Sequence, residues 1–323
     1  MAIGELAGGI SVDLDSVPKK YEGLSGTELA ISESQERMAV VLDRSDLARF
    51  MQFADEENLE ATHVADVTEE QRVVMYWRGD KIVDLSRDFL NTNGARKQAA
   101  VHSLDTINDF AKEEAGVKKI NSLKSEYCNL LSDLNVASKR GLVEMFDSTI
   151  GAGNLIFPFG GKYMKTPASV MACRFPVLSG VTNTCSMMAY GYNPFISSKS
   201  CYAGANLAVI ESAAKLVAAG GDLDNAYMSF QEYFEKTGSS PARWGKPMGA
   251  LMGAFDAQMD LRIAAIGGKD SMSGSFEDLN VPPTLISFAV SVQDEKRLVS
   301  KEFKRVNADV LLITPMLNKF SLP

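Results

Sequence analysis

The order of elements in residues 36–85 constrains the fold most. Residues 36–42 (ERMAVVL) are apolar and rich in valine, which reads as a buried strand. Residues 45–58 read as a helix, with Ser45 as N-cap and Leu47, Phe50, Met51 and Phe53 along an apolar face. Residues 60–66 and 71–77 read as short strands. Gly79-Asp80 is a turn, and 81–85 is a strand across it. A strand–helix–strand–strand–strand order belongs to a mixed α+β layer and excludes a helical bundle.

The character changes over residues 91–135, where polar and charged segments surround a helical pattern; this reads as a linker with helix. A second compact unit starts near Asn135. Its expected elements are strands at 141–146, 169–178, 262–266, 284–292 and 309–313, a Gly-rich stretch at 151–161, and helices at 202–219, 225–237 and 247–261. Gly220-Gly221 supplies the stop for the helix at 202–219.

At 323 residues the chain is long enough for about two domains. Its net charge of −8 argues against a nucleic-acid-binding surface as the main function. No apolar run reaches the roughly 18 residues that a membrane span needs, and the N-terminal stretch lacks the basic-then-apolar pattern of a signal peptide. Cys128, Cys173, Cys185 and Cys201 form no CxxC pair, so a zinc site is not expected and reduced cytoplasmic thiols are. His63 and His102 are the only histidines, which disfavours a His-centred triad.

The sharpest chemical signal is Gly267-Gly268-Lys269-Asp270-Ser271-Met272-Ser273-Gly274. Glycines let a backbone approach a ligand closely. Lys269 can neutralise phosphate, Asp270 can hold Mg²⁺ while phosphate oxygens complete its shell, and Ser271 can help cradle the phosphates. The order is not that of a Walker P-loop. A water-facing hairpin connection explains the same residues equally well. Glu211, inside an apolar helix, is either a metal ligand or the partner of Lys215 four residues on. Lys139 is either a phosphate or adenine contact or a solvated strand-end lysine. Asn183 is either a carbonyl ligand for a metal or a turn residue.

ESQER at 33–37, NVASKRGLVEMFDSTIGAG from Asn135, ANLAVIESAAKLVAAGG, RWGKPMGALMGAFDAQ and IGGKDSMSGSFEDLNVPPTLISFAV occur in this order along nearly the whole chain. Together they resemble the phosphoribosylformylglycinamidine synthases. The resemblance implies an α+β fold of aminoimidazole ribonucleotide synthetase-like αβ domains, with mixed sheets packed by helices. It implies that 1–90 is the C-terminal part of the first-half C-terminal domain and 91–134 a linker. It likewise implies that 135–295 is the second-half N-terminal domain, and 296–323 the start of a truncated second-half C-terminal domain.

The implied reaction converts formylglycinamide ribonucleotide, ATP and glutamine to the amidine in the cytoplasm, ATP activating the formamide oxygen that ammonia displaces. By the same resemblance, Lys139, Lys269 and Ser271 contact ATP or ADP, and Asp270, Glu211 and Asn183 hold Mg²⁺. Asn183 stands where an aspartate is expected and Lys215 where an asparagine is, which lowers the negative charge of the metal site. No catalytic residue is expected in this stretch. The first-half N-terminal domain and the glutaminase are expected as further parts of the same full-length chain, and the stretch alone is expected to be inactive. The competing expectation is a non-catalytic structural half with a vestigial nucleotide site. A stand-alone kinase-like relative would need its own Gly-rich loop and nucleophile, and neither is visible.

Overall fold

A computed structural model describes residues 2–32, 37–92, 94, 98–102, 122–145 and 149–312. The chain divides into two compact units, Met1–Gln98 and Ala99–Pro323. The architecture is α+β with mixed sheets packed by helices.

The first unit contains α1 (Ala2–Glu5), β1 (Ile10–Asp13), α2 (Gly26–Ile31), α3 (Leu47–Glu56), β2 (Ala65–Val67), β3 (Arg72–Trp77), β4 (Asp80–Ser86) and α4 (Arg87–Asn91). Its sheet runs β2-β1-β3-β4, with β1 parallel to β3 and the other pairs antiparallel. Ile10, Val12, Leu14, Leu29, Val73 and Met75 form its core. Arg78 and Gly79, both at positive φ, close the tight β3–β4 hairpin, which suits the twist of the paired strands. Ser25 and Glu28 make a reciprocal capping box at the start of α2.

Two expectations change in this unit. Residues 37–42 are not a strand: Met38 is 92% exposed, and Val40, Val41 and Leu42 are exposed as well. An apolar run becomes a buried strand only where a sheet edge and a covering layer receive it, and neither does so here among the described residues. The helix at 45–58 forms as α3, but Asp46 rather than Ser45 occupies its N-cap position, without a side-chain cap bond. The Ser45 hydroxyl turns to Asp43 instead. Residues 33–36 of the ESQER segment lie outside the described residues.

The second unit begins with α5 (Leu123–Ser132) and α6 (Arg140–Glu144), followed by β5 (Asn154–Ile156), β6 (Phe159–Gly160), β7 (Thr166–Pro167), β8 (Val170–Arg174) and β9 (Thr184–Gly191). Next come α7 (Pro194–Lys199), α8 (Cys201–Ala218), β10 (Ala226–Tyr233), α9 (Pro241–Leu261), β11 (Ala265–Lys269), β12 (Ser275–Phe276), β13 (Leu279–Asn280) and β14 (Thr284–Asp294). The main sheet runs β11-β10-β14-β9-β8-β5, with β10 parallel to β11 and β14 antiparallel to both β10 and β9. Strands β9, β10 and β11 therefore point the same way, and their carboxyl ends share one edge of the sheet.

One face of this sheet is covered by helices. Met187 and Ala189 of β9, Met228 of β10 and Leu285 and Ala289 of β14 are buried there with Val209 and Leu216 of α8 and Ala250, Ala254 and Ala257 of α9. The two long helices touch closely: a Cβ on Gly253 of α9 would lie 2.1 Å from the Tyr202 carbonyl oxygen. Ser200 and Ser240 cap α8 and α9, and Pro241 sits in the first turn of α9.

Three further expectations are corrected here. Residues 225–237 are not a helix; 226–233 form strand β10, where Ala226, Met228 and Phe230 point inward with period two, and β10 is held on both sides by β14 and β11. Residues 141–146 are not a strand; 140–144 form the short helix α6, where Arg140 pairs with Glu144 across one turn, and 146 lies outside the described residues. Residues 309–312 carry no regular structure, and Leu311 and Leu312 are exposed because no described strand pairs with them.

Candidate functional site

The parallel β10–β11 ladder sets the geometry of the Gly-rich segment. Gln231 lies beside Lys269, so Glu232 lies beside Asp270 at the carboxyl edge. Gly268 needs to be glycine, since a Cβ there would meet the Phe230 carbonyl oxygen at 2.4 Å. Residues 267–269 belong to β11, and only 270–274 form a loop.

Part of that loop's backbone is already engaged. The Ser271 N–H donates to the Glu232 carbonyl (3.2 Å), the Phe234 N–H donates to Ser271 O, and the Gly274 N–H donates to Phe234 O. The hydroxyls of Ser271 and Ser273 are 2.7 Å apart. Lys269 is exposed beside a shallow hollow of about 310 Å³, lined also by Gln231, Ile266, Gly267 and Phe288. A cationic group, a carboxylate and paired hydroxyls thus stand within the five consecutive residues 269–273.

Glu232 is the residue that the sequence reading passed over. It follows Met228 and Phe230 on the inward register of β10, so the chain places an acid where an apolar residue is expected. Burial, reinforced by the neighbouring Asp270 charge, pushes its carboxyl up to about 7. A period-two reading of Ala226–Tyr233 would have exposed it.

Glu211 sits on α8 against the end of β9. Its Oε2 accepts the Tyr192 N–H at 3.1 Å, and its Oε1 lies 2.6 Å from Lys215 Nζ. The Lys215 ammonium also donates to the Tyr190 carbonyl (2.9 Å) and stands 4.7 Å from the centre of the Tyr190 ring. The helix-surface pair, left open from the sequence, is what the structure contains.

The residues expected to share a Mg²⁺ ion are not brought together. From Asp270 on β11 to Tyr192 at the end of β9 is three strand spacings, roughly 14 Å. Asn183 precedes β9, and its carbonyl accepts the Glu295 N–H at the opposite edge, nine residues or about 30 Å along the strand from Tyr192. Oxygen ligands of Mg²⁺ lie about 2.0–2.1 Å from the ion. Asp270, Glu211 and Asn183 therefore do not fit one directly coordinated Mg²⁺, and no group of three His, Cys, Asp or Glu side chains that could hold a metal occurs among the described residues. Lys139 is the N-terminal flank of α6; its ammonium donates to the carbonyls of Leu134 and of Ala137 (3.0 Å), which keeps it local.

A second hollow, also about 310 Å³, lies between Leu155, Ile156, Gly161, Val170, Lys215 and Val299. Beside it Glu302 is held down to about 2 by hydrogen bonds from Lys304 and Ser300. Elsewhere the buried Glu235 pairs with Lys246 at 2.6 Å, tying the segment after β10 to α9. No described helix is long and apolar enough to cross a membrane.

Residues 1–78 match the family described as AIR synthase related protein, C-terminal domain. Curated relatives match across both units. The phosphoribosylformylglycinamidine synthase subunit PurL of Thermoplasma acidophilum is 23% identical over 289 residues, covering 90% of this chain and 37% of the relative. That of Streptomyces avermitilis is 28% identical over 302 residues, covering 91% and 38%.

The likeness to the AIR synthase related C-terminal domain is thus carried by residues 1–78, and the likeness to PurL subunits by most of the chain.

Solved structures share the fold. Thermotoga maritima PurL complexed with ATP superposes with a TM-score of 0.65 at 19% identity, covering 91% of this chain and 44% of that one. The same protein complexed with FGAR gives 0.65 at 18% identity, covering 91% and 42%. The chain thus spans less than half the length of the relatives and structures it matches.

Proposed function

We propose that this chain is part of a phosphoribosylformylglycinamidine synthase, which converts formylglycinamide ribonucleotide, ATP and glutamine to formylglycinamidine ribonucleotide. The observation that carries the reading is a likeness to PurL subunits over nine-tenths of the chain, crossing both units. Thermotoga structures of the same fold are described as complexes with ATP, ADP and FGAR. In this reading residues 1–90 are the C-terminal part of the first-half C-terminal domain and 91–134 a linker with helix. Residues 135–295 are the second-half N-terminal domain, and 296–323 open the second-half C-terminal domain. The first-half N-terminal domain and the glutaminase complete the enzyme.

The contribution of the second unit is a nucleotide-contacting edge and a scaffold. Lys269 offsets polyphosphate charge, and Ser271 and Ser273 offer hydroxyls beside it. Asp270 is the one proposed ligand at that edge able to meet a Mg²⁺ ion carried on the phosphates, the phosphate oxygens and water supplying the rest of its shell. Glu211 and Asn183 are not part of that contact. The other face of the sheet presents Met171, Met188, Tyr227, Val290 and Val292 across adjacent strands, a surface suited to the paired αβ domain of the enzyme's other half.

A second reading, a structural half with a vestigial nucleotide site, is favoured by one observation: Glu211 is already neutralised by Lys215. Calorimetric titration with ADP, with and without Mg²⁺, separates the two. Saturable binding that weakens in Lys269→Ala supports the contacting edge. Absence of binding at millimolar ADP supports the structural half.

A further inference from the structure

The Glu211 carboxylate has the surroundings of a cation-filled site, and the cation is a side chain. Lys215 Nζ is met by a carboxylate oxygen at 2.6 Å, a backbone carbonyl at 2.9 Å and an aromatic face at 4.7 Å. These are three kinds of negative potential converging on one ammonium. The second Glu211 oxygen accepts the Tyr192 N–H, so both oxygens are engaged. The result is a tie between the middle of α8 and the last residues of β9. Close packing supports it, since a Cβ on Gly191 would lie 2.1 Å from the Ala208 carbonyl oxygen.

We infer that the Lys215 ammonium takes the place of a divalent cation at Glu211, so that this edge of the sheet is closed without metal. A Mg²⁺ or Mn²⁺ ion bound by Glu211 would have to displace an ammonium that sits in contact with the same carboxylate. With the ammonium in place, like-charge repulsion at a few ångströms opposes the ion. The spacing from Asp270, roughly 14 Å, leaves no second described carboxylate from that loop to compensate. The inference deepens the proposed function by assigning the metal requirement of one part of the site. Its test reads metal binding alone, so it can fail while ADP binding stands, and the reverse.

The experiment is a Mn²⁺ titration of the full 323-residue chain without nucleotide, followed by the electron paramagnetic resonance signal of free Mn²⁺. In the parent chain, Glu211→Gln is expected to leave the titration unchanged. Lys215→Asn, which removes the ammonium and supplies a carbonyl oxygen, is expected to gain about one bound Mn²⁺ per chain, and the double variant with Glu211→Gln to lose it again. Lys215→Gln is the second variant should the asparagine chain fail to fold by circular dichroism. Mn²⁺ bound by the parent chain and lost in Glu211→Gln overturns the inference. So does a folded Lys215 variant that gains no ion.

Discussion

Glu232 makes the stability of the second unit depend on pH, with a sign that can be worked out. Its carboxyl is held at about 7 in the folded chain against an ordinary 4.5, chiefly by burial and secondarily by Asp270. A folded-state value above the unfolded one means that the folded chain binds the proton more tightly. The contribution to stability is fully present below about pH 4.5 and is lost as pH rises through about 7. Taken at face value the difference is ~3 kcal/mol, and solvent reaching the half-buried side chain reduces it to ~1–2 kcal/mol. Glu232→Gln keeps the shape and removes the ionisation. At pH 8 the variant is expected to be more stable than the parent by ~1–2 kcal/mol, with the gap closing by pH 5. Asp270→Asn removes only the smaller cause and should give a smaller gain at pH 8. The assay is urea unfolding at a series of pH values, followed by Trp244 fluorescence in a Trp77→Phe background. A difference between parent and Glu232→Gln that is absent at pH 8, or constant from pH 5 to 8, refutes the reasoning.

Other substitutions test the packing that carries the edge. Gly253→Ala should gain ~1 kcal/mol of helix propensity yet lose ~1–3 kcal/mol or more to the clash with the Tyr202 carbonyl, so net destabilisation in thermal unfolding is expected. Ser212 and Ser287 share a buried hydrogen bond of 2.8 Å, but Ser212 also donates to the Val209 carbonyl while Ser287 has only the Met228 sulfur besides. Ser212→Ala strands a buried hydroxyl and should cost ~1–3 kcal/mol, Ser287→Ala only ~0.5–1.5, an order that denaturant midpoints can check. Leu216→Ala, at a position with no exposure, should cost ~2–5 kcal/mol in the same measurement.

The parts of the fold legible in the sequence were those where local signal and tertiary demand agree. Helix α8 is apolar, capped by Ser200 and stopped at Gly220, and the β3–β4 hairpin carries its own turn residues. Strand β14 announces itself by length and by Leu285, Ser287, Ala289 and Ser291 alternating inward. Strand β10 was not legible as a strand because its aromatic residues also satisfy helical spacing, and only pairing with β14 and β11 decides the matter. Residues 37–42 fail for the opposite reason: their composition suits a strand, but strand formation needs a neighbour that composition does not report. Strand β9 alternates Cys185, Met187 and Ala189 inward, a pattern available in the sequence but overlooked beside the polar Thr182-Asn183-Thr184. The site follows the same logic. Lys269, Asp270 and Ser271 are contiguous, so their proximity needs no fold. Glu211 and Asn183 are remote in sequence from Asp270, and strand order with strand direction keeps all three apart, while Lys139 is taken up by the carbonyls of Leu134 and Ala137.

The proposed nucleotide-contacting edge can be tested directly by hydrogen exchange with mass spectrometry on the full chain, with and without saturating ADP. The account predicts slowed exchange in 267–274 and in the adjoining end of β10, with little change around Asn183. Protection that spares those segments and appears instead around Leu155, Gly161 and Val170 would contradict it.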